Sequence, residues 1–180
     1  MTNVLNKNSK YFTEDKNGKT KAFYMKTKKQ NITKKILQDM ISFTKKKKST
    51  IRLCLHRSIH EKHHSMLILD YKYNLNRPHF HTKTSETHQV LMGKLAVIVF
   101  SKMGVIVKKY ILDNKNIFLD RLDPSECHLL LPLSNHVIYH ETNSGKFNRS
   151  KPDMHFPAWY TRLSEKEKKY FFKKIRNKFK

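Results

Sequence analysis

Two histidines and one glutamate are spaced like metal ligands near the middle of the chain. They lie in the segment His79-Phe-His81-Thr-Lys-Thr-Ser-Glu86-Thr-His-Gln-Val-Leu-Met-Gly93. Residues i and i+2 of a β-strand face the same side, so His79 and His81 can present both imidazoles to one point. Residues 82–85 turn the chain, and Glu86 returns a carboxylate from the start of the next strand. Two nitrogens and one oxygen on one hairpin suit a divalent first-row metal ion (iron, manganese, zinc or nickel) and leave coordination positions open.

A fourth ligand is expected from a strand that lies further along the chain. His128 is the best placed candidate, because it follows the turn Asp123-Pro124-Ser125-Glu126-Cys127. Neighbouring side chains on a strand face opposite sides of the sheet, so Cys127 is expected to pack rather than to bind metal. The sequence therefore predicts a metal site of four residues: His79, His81, Glu86 and His128.

Short strands are the elements that must position these ligands. Between Ile51 and Thr142, turn signals separate eight runs of strand type, and no helical pattern intervenes. Such a pattern predicts an all-β core, a small antiparallel barrel or sandwich. The predicted strands are Ile51–Leu55, Met66–Tyr73, Pro78–His81, Gln89–Phe100, Val105–Leu112, Ile117–Leu122, His128–Leu133 and His136–Glu141.

Helices are predicted on both sides of this β region. Thr33 can cap a first helix, in which the apolar residues share one face. Ser164 and Glu167 form a capping box for a C-terminal helix, and its apolar stripe is expected to dock on the barrel. The apolar positions are Ile36, Leu37, Met40 and Ile41 in the first helix, and Phe171, Phe172, Ile175 and Phe179 in the second. We therefore predict a basic, partly ordered arm over 1–30 with a short edge strand near residue 21, a barrel domain with its leading helix over 31–162, and a basic helix over 163–180.

The basic charge is concentrated at the two ends of the chain. The formal net charge is +24, of which residues 1–50 carry +11 and residues 163–180 carry +6. Lysine greatly outnumbers arginine there, whereas sequence-specific nucleic-acid readers add arginine for base edges and aromatic platforms. We expect a solvated surface with weak, salt-sensitive binding to polyanions and no specific nucleic-acid partner.

Composition excludes several other classes of protein. Two cysteines cannot build a disulfide framework or a four-cysteine zinc site. No apolar run approaches the roughly 20 residues that a transmembrane helix needs. The first residues lack an apolar signal core, so we expect a cytoplasmic location.

The ligand pattern resembles the cupin superfamily. H-x-H, four residues, Glu, six residues and Gly is the first cupin motif, and Pro124-x-x-x-His128 resembles the core of the second. Residues from about 32 to 159, about seven tenths of the chain, are similar to the WbuC-type cupin fold metalloproteins. Ser125 stands where that family usually has glycine, and Cys127 where it tends to have an aromatic residue. The other stretches that carry the resemblance are Arg52-Leu-Cys54-Leu-His56, Met66-Leu-Ile-Leu, Leu95-Ala-Val-Ile-Val-Phe100, His136-Val-Ile-Tyr-His-Glu141, Gly145-Lys-Phe147 and Phe156-Pro-Ala-Trp159. The resemblance implies a small β-barrel with a metal ion near its centre, often encoded among genes for O-antigen or other surface polysaccharides.

Three further residues are candidates for catalysis. Arg52 and His56 alternate along one strand and are expected to share a face. If that face lines the barrel interior, Arg52 can pair with a carboxylate or phosphate, and His56 can transfer protons near neutral pH. Glu141 is a second acid or base candidate; alternatively, Arg52 and Glu141 form a structural ion pair across the barrel. Trp159 either stacks on a sugar or base at the barrel mouth or packs under the C-terminal tail.

The sequence leaves three functions open. The leading hypothesis is a metal-binding cupin that acts on a sugar or nucleotide-sugar intermediate of surface polysaccharide assembly, with isomerase-like or epimerase-like chemistry. The second is an iron-dependent oxygenase, and the third is a non-catalytic binding protein with a structural metal. The expected partner is a small, sugar-derived substrate. By analogy with other cupins, a homodimer formed through sheet edges is also expected.

Overall fold

Two β-sheets and three helices form the part of the chain that the structure describes. The computed structural model describes residues 4–6, 9–27, 31–145 and 147–179. The strands in this part are β1 Phe12–Glu14, β2 Lys21–Met25, β3 Ile51–Cys54, β4 His63–Tyr71, β5 Glu86–Met92, β6 Leu95–Phe100, β7 Ile106–Leu112, β8 Leu119–Leu122, β9 Cys127–Pro132 and β10 His136–Ser144. The helices are α1 Lys34–Thr44, α2 Ala158–Thr161 and α3 Glu165–Asn177.

The large sheet has the strand order β1-β2-β3-β4-β10-β5-β8, and the small sheet has the order β7-β6-β9. All neighbouring strands are antiparallel except β2 and β3, which run parallel. Helix α1 connects these two strands. It brings the chain back to the end of the sheet at which β2 begins, as a parallel connection requires. The predicted all-β core with a leading and a C-terminal helix is confirmed, but among the described strands the parallel pair of β2 and β3 departs from the predicted antiparallel barrel.

Two of the eight predicted strands are not single strands in the structure, whereas the other six differ from it only at their ends. The run Gln89–Phe100 is two strands, because a bend at Gly93, with φ of 86°, separates β5 in the large sheet from β6 in the small sheet. The run Pro78–His81 is reduced to isolated bridges, in which His79 pairs with His128 and Phe80 pairs with His155. This segment therefore lies beside β9 of the small sheet without forming a strand of either sheet.

Buried apolar residues form three layers. Because side chains alternate between the two faces of a strand, neighbouring residues of one strand belong to different layers. On β6, Leu95, Val97 and Val99 face the interior between the sheets, whereas Ala96, Ile98 and Phe100 face α2 and α3. Both faces of this strand are therefore buried, which explains its continuous apolar run. On the opposite side, Ile51 and Leu53 of β3 pack against α1.

The C-terminal helix begins and docks as predicted. The Ser164 hydroxyl accepts a hydrogen bond from the Glu167 amide, and the Glu167 carboxylate accepts one from the Ser164 amide, which completes the capping box. Phe172 and Ile175 are buried against the small sheet, and Phe171 and Phe179 pack beside them. Trp159 packs in the same cluster, with its ring centroid 5.2 Å from that of Phe100, so it serves the packing of the tail.

Part of the predicted N-terminal arm is integrated into the large sheet. Strand β2 lies at the position predicted for a short strand, but β1 covers its outer side, so β2 is not the edge. Residues 1–3, 7–8 and 28–30 of the arm lie outside the described residues. The division of the chain into arm, barrel and terminal helix stays a prediction. In the described part of the chain, every helix is too short or too polar to cross a membrane.

Candidate metal centre

The four predicted metal ligands lie together between the two sheets. One potential ligand atom from each of His79, His81, Glu86 and His128 falls within 4.8 Å of the other three. Glu86 is the first residue of β5, and His128 is the second residue of β9. The neighbour of His128, Cys127, packs on the opposite face towards the C-terminal helices, as the strand alternation predicted.

Backbone hydrogen bonds fix the two motifs against each other. The amide of His79 donates to the carbonyl of His128 at 2.9 Å, and the amide of His128 donates to the carbonyl of His79 at 2.8 Å. The Ser125 amide donates to the His81 carbonyl at 2.6 Å. Ser125 adopts a left-handed conformation with φ of 71°, so the turn keeps a glycine-like backbone although the residue is serine.

The three histidines share one tautomer, which backbone carbonyl groups set. Nδ1 of His79 lies 3.0 Å from the Arg77 carbonyl oxygen, and Nδ1 of His128 lies 2.9 Å from that of Glu126. Nδ1 of His81 contacts the carbonyl oxygen of Asp153. A carbonyl oxygen only accepts, so each Nδ1 must carry the proton. In the neutral ring, each Nε2 therefore offers its lone pair, as metal-binding histidines do.

The Nε2 atoms of His81 and His128 and the carboxylate of Glu86 are arranged to bind a cation between them. Nε2 of His81 lies 3.1 Å from one carboxylate oxygen of Glu86, and Nε2 of His128 lies 3.2 Å from the other. Both Nε2 atoms are buried and have no hydrogen bond of good geometry within the described chain. Lone pairs that face a carboxylate repel it unless a positive charge lies between them. The donor set of imidazole nitrogens and one carboxylate thus fits a divalent transition-metal ion.

The pKa shifts agree with this donor set. Burial lowers the pKa of His79 to about 3, so this ring is neutral. Burial alone would raise the pKa of Glu86, but His128 and His81 outweigh it and hold this pKa well below its ordinary value. Burial also opposes charge on His81, yet Glu86 reverses the effect and raises the pKa of this ring. Without a metal ion, a proton on His81 can therefore take part of its place.

Asp153 supports His81 from outside the cluster. Its carboxylate accepts hydrogen bonds from the Thr82 amide at 2.9 Å, the Thr82 hydroxyl at 2.6 Å and the Lys83 amide at 2.9 Å. Its own backbone carbonyl holds the His81 ring. One residue thus fixes both the turn after His81 and the orientation of its imidazole.

Sequence reasoning missed a second buried cluster beside the ligands. His88 is fully buried, and its Nδ1 lies 3.1 Å from the Asp120 carboxylate. Tyr110 donates its hydroxyl to the same carboxylate at 2.6 Å. Nε2 of His88 lies 3.9 Å from both Glu86 and Glu141. The i to i+2 spacing from Glu86 could have identified His88, whereas Asp120 depends on the pairing of β5 with β8.

The three predicted catalytic residues line one cleft with part of the ligand cluster. This cleft has a volume of about 320 Å³, and its walls include Arg52, His56 and Glu141 together with His81 and Glu86. His56 lies beyond the end of β3, where its ring stacks on His64 with centroids 4.3 Å apart. Burial, followed by the nearby Glu86, raises the pKa of Glu141. The alternative of an Arg52–Glu141 ion pair is not realised, since none of the ion pairs in the described part of the chain joins them.

A family model matches part of the chain. Residues 32–112 match a domain of unknown function, DUF6016. This match includes three of the four predicted ligands and ends before His128. No curated protein sequence matches the chain significantly.

The structural comparisons agree with the arrangement of the two sheets. The capsular polysaccharide assembling protein CapF from Staphylococcus aureus is 13% identical with a TM-score of 0.51, over 60% of this chain and 29% of that one. CapF with the inhibitor 3-isopropenyl-tropolone is 14% identical with a TM-score of 0.50, and the match covers 60% of this chain and 31% of that one. The fold is that of the cupins. The chain spans about three tenths of the CapF chains it matches. A recombinant oxalate oxidase in complex with glycolate is 12% identical with a TM-score of 0.42, and the match covers 53% of this chain and 46% of that one.

Proposed function

We propose that the protein is a metal-dependent cupin of the WbuC type, which acts in the cytoplasm on a sugar or nucleotide-sugar intermediate of surface polysaccharide assembly. One observation carries the metal dependence. Three histidines that cluster with Glu86 have their Nδ1 atoms fixed by backbone carbonyls, and the Nε2 atoms of His81 and His128 face the Glu86 carboxylate. The sequence resemblance supports the pathway, and the structural likeness is to CapF, a capsular polysaccharide assembling protein.

The reaction class we propose is isomerisation or epimerisation. His79, His81, Glu86 and His128 would hold a divalent ion, which would act as a Lewis acid towards a carbonyl or hydroxyl group of the substrate. Such reactions also need a group that takes and returns a proton. Glu141 and His56 lie on the wall of the same cleft and are the candidates for this role. Burial favours the protonated form of Glu141 and the neutral form of His56.

The test combines metal analysis with a search for exchange. The full-length protein, reconstituted in turn with zinc, manganese, iron and nickel, is incubated in D₂O with a panel of sugars and nucleotide-sugars. Incorporation of deuterium at a sugar carbon is then followed by NMR. We expect exchange with at least one sugar, loss of exchange in Glu141→Gln, and no requirement for oxygen. Turnover that stops under anaerobic conditions would instead favour an oxygenase, and metal-loaded protein without any exchange would contradict the proposed reaction.

A further inference from the structure

Arg52 lines the cleft with a guanidinium that forms no ion pair within the described residues. Strand β3 alternates, so that Ile51 and Leu53 pack against α1 while Arg52 and Cys54 line the cleft. The Nε atom of Arg52 is buried and has no hydrogen-bond partner within the described chain. An arginine does not lose its proton in a protein, so this side chain stays charged. A buried charged donor of this kind normally meets an acceptor from water or from a ligand.

Nearby carboxylates do not supply that acceptor. Glu141 lies close enough for the two residues to influence each other electrostatically, yet they form no ion pair in the described structure. Asp153 also lines the cleft, but its oxygens accept hydrogen bonds from Thr82 and Lys83. Glu86 faces the histidines of the ligand cluster. The guanidinium is therefore available to a molecule that enters the cleft.

Two more cations and several neutral groups complete the wall. Lys83 and Lys151 are exposed and line the same cleft. Tyr24, Asn143 and Phe147 contribute ring faces and amide groups, which suit the carbon and hydroxyl groups of a sugar. A volume of about 320 Å³ lies at the lower end of ligand pockets, roughly 300–1,000 Å³. The enclosed part of a ligand is accordingly small.

We propose that Arg52 binds an anionic group, a carboxylate or a phosphate, on a small sugar-derived substrate whose other end reaches the four-ligand cluster. This inference rests on the proposed function and narrows its substrate class from sugars in general to sugar acids and sugar phosphates. The guanidinium provides paired donors that match either group, and the two lysines attract the anion to the cleft mouth. A neutral sugar offers this donor only uncharged hydroxyl oxygens and leaves the charge of Arg52 without a counter-ion.

Calorimetry on the full-length, zinc-reconstituted protein tests this with three matched probes: glucuronic acid, glucose 1-phosphate and glucose. We expect at least one charged probe to bind about tenfold or more tightly than glucose, as a charge-assisted hydrogen bond allows. Glucuronic acid and glucose 1-phosphate distinguish the carboxylate from the phosphate. Arg52→Gln should weaken the charged probe by a similar factor and leave zinc content unchanged. The control is Arg121→Gln, since Arg121 is exposed, pairs with Asp123 and does not line the cleft.

The outcomes separate this inference from the proposed function. Equal binding of charged and neutral probes, or unchanged affinity in Arg52→Gln, would overturn the anion site even if zinc binds. Loss of zinc from the wild type would instead contradict the proposed function, and probe binding to that metal-free protein would still report on Arg52. If Arg52→Gln does not fold, the double variant Lys83→Gln/Lys151→Gln, at two exposed positions, replaces it. This variant must lower the affinity for the charged probe severalfold, and an unchanged affinity would overturn the proposal.

Discussion

Nε2 of His81 lies 3.1 Å from a carboxylate oxygen of Glu86, while Nδ1 of the same ring contacts the backbone carbonyl of Asp153. The ring is held from one side, and its second nitrogen points at an anion. This arrangement is favourable when a cation, either a metal ion or a proton, occupies the space between them. It also makes the orientation of His81 depend on Asp153, which lies 72 residues further along the chain.

We predict that Asp153→Ala lowers metal affinity without removing a ligand. The variant loses the acceptor for the Thr82 and Lys83 amides, so the turn that follows His81 loosens. Loss of such outer support usually costs about 10–100-fold in metal affinity. Competition with a chromophoric chelator measures this, and Asp123→Ala is the exposed control. Identical affinities in the variant and the wild type would show that Asp153 does not position His81.

The buried His88–Asp120–Tyr110 chain should stabilise the fold. Tyr110→Phe removes the hydroxyl that donates to Asp120 at 2.6 Å. We expect a loss of about 1.5–3 kcal/mol in the free energy of unfolding, as for a hydrogen bond to a charged acceptor. Urea denaturation provides the measurement. Tyr170→Phe, at a position that is 68% exposed, should leave the free energy of unfolding unchanged. Equal effects of the two substitutions would show that the hydrogen bond from Tyr110 to Asp120 does not stabilise the fold.

The protein should lose stability as the pH decreases, in part because of His64. Burial lowers the pKa of this ring below 6.5 in the folded state, so the unfolded state binds more protons just below neutrality. The contribution of His64 is therefore complete above the unfolded pKa and decreases as the pH falls towards the folded pKa. We expect the wild type to lose stability relative to His64→Phe between about pH 7.5 and 5. Urea midpoints across this range test it, and parallel curves for the two proteins would contradict it.

The contact between Gly104 and Trp159 should help to hold the C-terminal helices in place. A Cβ at Gly104 would lie 2.7 Å from the Trp159 ring, and φ is +83°. Gly145 has a similar φ of +98° but nothing within 4 Å of its added Cβ. Gly145→Ala should therefore cost about 1 kcal/mol from the backbone alone. Gly104→Ala should cost a further 1–3 kcal/mol, roughly, from steric conflict. Equal thermal shifts in the two variants would show that Trp159 moves freely.

Local patterns were sufficient to predict much of this molecule. Strand alternation placed His79 and His81 on one side and separated Cys127 from His128, and helical periodicity assigned the apolar stripe of α3. Non-local pairing was not predictable in the same way. The bridge between His79 and His128, and the pairing of His88 with Asp120, depend on which strands become neighbours. The parallel pair of β2 and β3 was missed because short strands carry no signal for their direction.

Metal stoichiometry of the purified full-length protein tests the central claim most directly. After reconstitution and removal of free metal, elemental analysis should give about one divalent ion per chain, as the single four-ligand cluster of the described residues requires. His81→Ala should reduce this content sharply while circular dichroism shows a folded barrel, because buried apolar strands rather than the ion form the core. Exposed His60→Ala is the matched control and should retain the metal. A wild-type protein that retains no metal, or a His81→Ala variant that binds it as tightly as the wild type, would contradict the account.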